Sequence, residues 1–233
     1  MSTLLLSLLA VAAAWTTPPA RVRVSLVRRP ISFGNPFDAI ADKLSDQDRG
    51  MSVVKLQIAC NCKDRGAGAL LPSLQALASK ANTETDAGLA RFLADACLLL
   101  LRREAEWVSS AGECAGFFRE GKDADAEGAF NRLVVQEAAK FDEEPGAAAG
   151  PDAPGATLAV VSLVACVYGD LTEAASGFAG SLAGTRAALN ELASAAGSYD
   201  GVVAAELLWS PDEPGDVLDP GDVITAWPEL ISI

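Results

Sequence analysis

Three stretches of the chain have the apolar pattern of β-strands. In residues 51–60 apolar side chains fall on alternate positions, with Lys55 and Gln57 between them, which predicts a half-buried strand. Residues 157–168, TLAVVSLVACVY, are almost unbroken apolar and rich in β-branched side chains, so they predict a central strand covered on both faces. Residues 201–211, GVVAAELLWSP, predict a third strand.

Five segments have the spacing of amphipathic helices. In the third of them, residues 123–144, Glu137 lies at the edge of the apolar stripe. The stretch after Trp107 contains glycine and serine and is interpreted as a turn. Helices separate the strands in the order β-α-α-α-β-α-β-α, which predicts an α/β fold: a small three-stranded, mostly parallel sheet flanked by about five helices. The predicted helices are residues 70–81, 85–100, 123–144, 184–198 and 219–230.

The chain is predicted to consist of an N-terminal targeting presequence, residues 1–37, followed by a linker and a single α/β domain, residues 51–233. Residues 1–14 form an apolar run that ends in small residues, typical of a secretory signal, and residues 16–37 contain four arginines and no acid, typical of a transit peptide. This tandem resembles the bipartite presequences of algae with complex plastids, in which Trp15 would follow the signal cleavage point. Simple secretion is the alternative. Residues 38–50 are a predicted linker, and residues 145–156 a flexible surface loop.

Composition narrows the classes of function. The 233 residues include 18 basic and 31 acidic ones, a net charge of −13; without the four arginines of the predicted leader, 18 − 4 = 14 basic residues remain and the net charge is −17. The field of such an acidic protein repels nucleic acids and anionic lipid surfaces and would attract cationic partners, with simple solubility as the favoured explanation of the acidity. The chain has no histidine, which excludes Ser-His-Asp and Cys-His hydrolases, histidine-ligated zinc enzymes and facial-triad iron oxygenases.

Cysteine carries the clearest candidate chemistry. Cys60 and Cys62 share one face of the first predicted strand, and together with Cys114 they are candidate redox thiols, with packing at the strand end as the favoured alternative. Cys97 falls in a helix stripe and Cys166 in the central strand, so both are predicted to be small buried hydrophobes. Paired Cys-x-x-Cys units are missing from the sequence, which disfavours a metal site. No catalytic set, cofactor site or metal site is predicted.

Two of the predicted strands carry a single charged side chain that could pair across the sheet. Lys55 lies in the first strand and Glu206 in the third, each among apolar residues. If the two strands are adjacent, a cross-strand ion pair is expected, contributing about 0.2–1 kcal/mol.

Five motifs in order resemble a known family. They are MSVVKLQIA, TETDAGLARFLADACLLLLRR followed by EW, AFNRLVVQEAAKF, VVAAELLWSP and DVLDPGDVITAWPEL. Read together they resemble the DUF1517 family of cyanobacteria and plastids, to which the plant fluctuating-light acclimation proteins belong. The resemblance implies a plastid protein near thylakoid or envelope membranes, a regulatory role in light acclimation and no established catalytic activity. Family members commonly carry a glycine-rich segment and a membrane-spanning helix before the domain; here the segment ISFGNPFDAIADKLSDQDRG leads directly to the first predicted strand, so membrane anchoring is not expected.

These observations predict a non-enzymatic plastid protein, in the stroma or at the thylakoid or envelope surface, that regulates photosynthetic light acclimation or photoprotection through contacts with proteins of the photosynthetic apparatus. Peripheral association with a membrane is compatible with this expectation, whereas the mature chain is predicted to have no transmembrane helix. One alternative is a structural or assembly subunit docked on a photosynthetic complex. Another is a thiol-switched enzyme.

Overall fold

A computed structural model describes most of the domain and little of the region before it. The described residues are 24–25, 50–82, 85–142, 157–176, 180–197, 201–211 and 218–233. Apart from Val24, Ser25 and Gly50, the predicted presequence and linker therefore lie outside the described residues, as does the predicted loop at 145–156.

The described strands form one sheet in which every neighbouring pair is antiparallel. Its order is β1-β5-β4-β2-β3-β6. The four inner strands are long, and the two edge strands have two residues each. The strands are β1 (Val24–Ser25), β2 (Met51–Asn61), β3 (Trp107–Phe118), β4 (Leu158–Tyr168), β5 (Val202–Ser210) and β6 (Ile231–Ser232).

Six α-helices and one 3-10 turn connect the described strands. Thr85 caps the second helix by accepting a hydrogen bond from the backbone N–H of Gly88, and Asp219 caps the last helix within a capping box. The helices are α1 (Leu70–Lys80), α2 (Asp86–Leu101), α3 (Asp123–Asp142), α4 (Thr172–Ser176), α5 (Leu182–Ala196) and α6 (Pro220–Ala226), and the 3-10 turn is Glu104–Glu106.

The expectation of three mostly parallel strands is wrong, and one segment explains most of the error. Residues 107–118, WVSSAGECAGFF, were interpreted as a turn because of their small residues, yet they form β3, which pairs along almost the whole of β2. Gly116 permits the irregular pairing there, since its φ of 149° is one that other residues rarely adopt.

Strand direction follows from the number of helices between strands. One connecting helix brings the chain back to the end of the sheet where the previous strand began, so the next strand is parallel to it. A second helix brings the chain to the other end, so the next strand is antiparallel. Two helices, α1 and α2, separate β2 from β3, and two more, α4 and α5, separate β4 from β5. The short α4 was not predicted. Both β3 and β4 are antiparallel to β2, so they run parallel to one another, but β2 lies between them.

The sheet is buried on both faces, under unlike layers. We call one side the apolar face: β2, β4 and β5 pack there against α1, α2 and α5 in the largest hydrophobic cluster. We call the other the α3 face, where two smaller clusters lie beneath α3 and beneath α6 with the tail that follows it. The predicted half-buried strand β2 is thus covered on both sides, and ten of its eleven residues are buried.

Candidate functional site

A band of polar side chains crosses the middle of the α3 face, between its two hydrophobic clusters. Lys55 and Gln57 of β2 lie there, and Gln57 is opposite Ser162 of β4 in the strand register. Glu206 of β5 lies in the same band. All three charged residues that are buried within the described part of the chain, Lys55, Glu137 and Glu206, belong to this face. The band is the only place where the described core is strongly polar, so it is the candidate site.

The Glu137 carboxylate is the centre of the band. Helix α3 carries it over the sheet, and it is 0 % exposed. Its Oε1 accepts three hydrogen bonds: from Gln57 Nε2 at 2.6 Å, from Ser162 Oγ at 2.8 Å and from the indole Nε1 of Trp227 at 3.2 Å. One oxygen thus connects α3, two central strands and the tail after α6.

Charges alternate outward from this carboxylate. Glu137 Oε2 lies 3.3 Å from Lys140 Nζ and 3.6 Å from Lys55 Nζ. Lys55 Nζ also lies 3.0 Å from Glu113 on β3, and Lys140 contacts Glu229 in the C-terminal tail. The row Glu113–Lys55–Glu137–Lys140–Glu229 therefore passes from one edge of the band through its buried centre to the tail.

Two pKa shifts follow from this row. Burial by itself lowers the pKa of Lys55, but the hydrogen bond with Glu113 and the charges of Glu137, Glu113 and Glu229 outweigh it, so the pKa lies above the ordinary value of 10.5. For Glu229 burial raises the pKa, and the hydrogen bonds from Lys140, from its own backbone and from Gln57 reverse this, leaving the pKa below its ordinary value of 4.5. Both shifts favour the charged forms.

The arrangement is suited to holding elements together. Gln57, Glu137 and Ser162 are each 0 % exposed and Trp227 is 1 % exposed, so solvent does not reach the central carboxylate oxygen. Removing one member of such a network leaves the others buried without partners. The free energy of folding lost in this way is larger than the stability that the intact network adds relative to well-packed apolar side chains. Two buried atoms, Gln57 Oε1 and Glu137 Oε2, make no hydrogen bond, although Oε2 retains its two lysine contacts.

The structure places Cys60 and Cys62 in the hydrophobic cluster of the apolar face. Both are buried, and burial raises the pKa of each thiol; for Cys60 the pKa lies far above its ordinary range. Such thiols are poor nucleophiles because the thiolate is the reactive form. Their burial fits packing better than redox chemistry, while redox sensitivity itself stays a prediction.

The remaining thiols are also free rather than disulfide-bonded. Cys97 and Cys166 are buried, as expected, and burial raises the pKa of Cys166 to about 12. Cys114 lies in β3 and is half-buried, with its Sγ 4.0 Å from Thr172 Oγ1. Within the part of the chain that the structure describes, no three His, Cys, Asp or Glu side chains are grouped so that they could hold a metal ion.

The predicted pair of Lys55 with Glu206 rested on strand adjacency, and the strands are not adjacent. Val164 of β4 lies between the two residues in the register, although all three share the α3 face. Lys55 instead contacts Glu113 on its neighbouring strand and Glu137 on the helix above. The unpredicted β3 supplies the nearer partner.

Sequence reasoning missed the network, although two signals for it were present. Glu137 occupies a position in the apolar stripe of α3, where a carboxylate must find buried donors. Lys55 and Gln57 occupy the polar positions of β2. Their pattern predicts a solvent-exposed face, because nothing in the strand itself indicates that a helix covers them.

The fold and its centre together define a class: a domain with one antiparallel sheet between two unlike helical layers, joined by an internal carboxylate network. The chain belongs to the family described as Protein of unknown function (DUF1517), whose model matches residues 50–233. The resemblance seen in the sequence motifs is thereby confirmed.

One relative among curated proteins is Protein FLAP1 homolog A of the cyanobacterium Synechocystis sp. (strain ATCC 27184 / PCC 6803 / Kazusa). It is 28 % identical over 205 residues, an alignment that includes 80 % of this chain and 57 % of the relative. The chain therefore matches little more than half of the relative's length. No solved structure gives a significant match. In the described residues, none of the helices has both the length and the apolar character required to cross a membrane.

Proposed function

We propose that the protein serves light acclimation in a photosynthetic organism, acting as a non-enzymatic regulator of photoprotection through contacts with other proteins. The observation that carries this proposal is the relationship to a FLAP1 homolog, since FLAP1 names a fluctuating-light acclimation protein, together with the match of the family model to residues 50–233. The proposed location is the plastid, in the stroma or at the thylakoid or envelope surface.

The chemistry of the candidate site supports a regulator that acts by binding. The central carboxylate accepts three hydrogen bonds from side chains of the protein and lies beside two lysines, so its polar contacts are with other residues of the same chain. A general acid or base must come within hydrogen-bond reach of a substrate, and Glu137 is 0 % exposed. The network therefore favours a structural role for Glu137, and the outer surface is left as the region that contacts partners.

A deletion strain tests the proposed role. Chlorophyll fluorescence is recorded under constant light and under light that alternates between low and high intensity. The expected result is that loss of the gene changes photoprotective quenching mainly in alternating light, and that the full chain restores it. An unchanged response in alternating light would contradict the proposal, and growth failure in constant light would favour a structural subunit of a photosynthetic complex instead.

A fluorescent fusion tests the proposed location separately. Residues 1–40 joined to a fluorescent protein are expected to direct it into the plastid, because this segment holds both predicted targeting signals. Export of the fusion from the cell would instead indicate secretion.

A further inference from the structure

Charge is distributed very unevenly along the chain. Residues 104–233 contain 5 basic and 23 acidic side chains, a net charge of 5 − 23 = −18. Residues 63–103, which include α1 and α2, contain 6 basic and 4 acidic side chains, a net charge of 6 − 4 = +2. Within the domain, residues 63–103 thus carry a small excess of positive charge, whereas residues 104–233 are strongly acidic.

A half-open groove of about 630 Å³ runs between α1 and α2 in this same segment. Apolar side chains that are buried or partly buried line it, among them Leu77 of α1 with Phe92 and Leu99 of α2. The helices also pack on the rest of the apolar face, so the groove has a fixed floor supported by the main core.

Cations line the rim of the groove. Lys80, Arg91 and Arg102 all contribute to its wall and all are exposed. Arg91 lies 3.6 Å from Asp95 one turn away, a pair whose side chains are 83 % and 47 % exposed and which water screens strongly. Lys80 and Arg102 make no ion pair with another described residue. The groove therefore combines an apolar floor with a positive rim.

We propose that this groove binds an acidic, amphipathic helical segment of a partner protein. The inference rests on the proposed function, for which it names a contact surface. A helix laid in a groove buries its apolar face on the floor while acidic residues beside that face meet the cationic rim. The half-open shape suits a ligand whose opposite face remains in water.

The charge of the whole molecule favours a narrow acidic segment over an anionic membrane. A membrane surface presents negative charge to the entire acidic body, which repels it over roughly a Debye length, about 8 Å at physiological salt. A single segment meets only the local field of the groove. In addition, the apolar residues are recessed between two helices, where a peptide side chain can reach them more readily than a flat bilayer can.

Direct binding to a designed probe tests this proposal. The probe is a labelled helical peptide of about 18 residues, with leucines at i, i+3, i+4 and i+7 and glutamates flanking them, and the matched peptide has neutral glutamine in place of glutamate. Fluorescence anisotropy with the full chain is expected to show the acidic peptide binding at least about tenfold more tightly than the neutral one at low salt. Equal affinity for both peptides, or none for the acidic one, would overturn the proposal.

Variants locate the binding. The double substitution Lys80→Glu/Arg102→Glu is expected to weaken binding of the acidic peptide at least about tenfold. The control Lys122→Glu/Arg132→Glu makes the same change in net charge at two exposed residues, one just before α3 and one within it, and should change binding less than about twofold. Ala76→Trp, which fills the groove without a change in charge, is also expected to abolish binding, and the control is Ala187→Trp on the exposed side of α5.

Two further outcomes would count against the groove. Equal loss in both charge-reversal variants would mean that net charge alone drives binding. Binding of phosphatidylglycerol vesicles, lost in Lys80→Glu/Arg102→Glu, with no binding of the acidic peptide would assign the groove to a membrane. Either result leaves the deletion phenotype in alternating light untouched, so failure of the groove and failure of the proposed function are distinguishable.

Discussion

The two faces of the sheet are held by different physics. On the apolar face large side chains of α1, α2 and α5 fill the space above the strands, and the buried polar groups there include the neutral pair of Ser110 with Thr185, whose hydroxyl oxygens are 2.8 Å apart. On the α3 face a charged network separates two small clusters. The stability of the apolar face depends on the volume of the side chains that fill it, whereas the stability of the α3 face depends on the identity of individual polar atoms.

The largest effect is expected from truncating the centre of the α3 face. Glu137→Ala leaves the donors of Gln57, Ser162 and Trp227 without an acceptor and Lys55 without its buried partner, and should lower the free energy of unfolding by about 3–5 kcal/mol. Urea unfolding measures the change. Gln136→Ala, one residue away on the exposed side of α3, is the control and should stay within about 0.5 kcal/mol. A loss below about 1 kcal/mol for Glu137→Ala would show that the network is not integral to the fold.

Truncating the apolar face should cost nearly as much. Leu189 of α5 is 0 % exposed within the main cluster, so Leu189→Ala removes buried apolar surface and leaves a cavity, with an expected loss of about 3 kcal/mol by urea unfolding. Leu182→Ala, on an exposed residue of the same helix, is the matched control. A cost equal to that control would mean that the cluster repacks freely.

Substitutions that conserve volume separate the two faces more sharply than truncations. Leu189→Met keeps the volume and the apolar character and should cost less than about 1.5 kcal/mol. Glu137→Gln keeps the shape but removes the charge that Lys55 and Lys140 face, so its expected cost is larger, about 2 kcal/mol. Equal costs in parallel urea titrations would contradict the contrast between the faces.

The charged row gives stability a defined pH window. The raised pKa of Lys55 contributes stability that is complete below pH 10.5 and is lost as the pH rises through its folded-state pKa, whereas the lowered pKa of Glu229 contributes stability that is complete above pH 4.5 and is lost as the pH falls. Unfolding free energies measured across the pH range should therefore fall at both ends. Glu229→Gln should reduce the acid dependence and leave most of the alkaline loss in place, since Glu229 is the smallest of the charges that raise the pKa of Lys55. An unchanged acid limb would exclude this role.

Thiol reactivity is the smallest difference. Cys114 is the half-buried thiol, whereas burial raises the pKa of Cys60, Cys62, Cys97 and Cys166. A thiol-modifying reagent followed by mass spectrometry should therefore label Cys114 first and the others only as the protein unfolds. Cys114→Ser should abolish the fast phase. Rapid labelling of Cys60 or Cys62 in the folded protein would revive the thiol-switch alternative.

The elements that sequence patterns predicted well are those with a strong period of their own. β2 and β4 are long and apolar, and α2 has both a regular stripe and a Thr85 cap, so their positions agree with the structure. β3 failed because its small residues and glycines have no clear alternation; its strand character comes from pairing with β2, which is a non-local interaction.

The network could not be predicted for a related reason. Its members lie at positions 57, 137, 162 and 227, and the hydrogen bonds that join them span 25 to 90 residues. A residue pattern describes one helix or strand at a time. It therefore indicates an exposed position for Gln57 and a position at the edge of the apolar stripe for Glu137, and it does not show that α3 packs on the sheet. The expected pair of Lys55 with Glu206 failed for the same reason, because it depended on which strands are neighbours, and β4 lies between β2 and β5.

The central claim is that the Glu137 network supports the fold while the protein acts through its surface. Photoprotective quenching in alternating light is the direct test, measured in the deletion strain complemented with Glu137→Gln at a temperature where this variant stays folded at wild-type abundance. We expect wild-type recovery from Glu137→Gln and poor recovery from Lys80→Glu/Arg102→Glu. Failure of folded Glu137→Gln beside full recovery by the groove variant would contradict the claim and place the chemistry at the buried carboxylate.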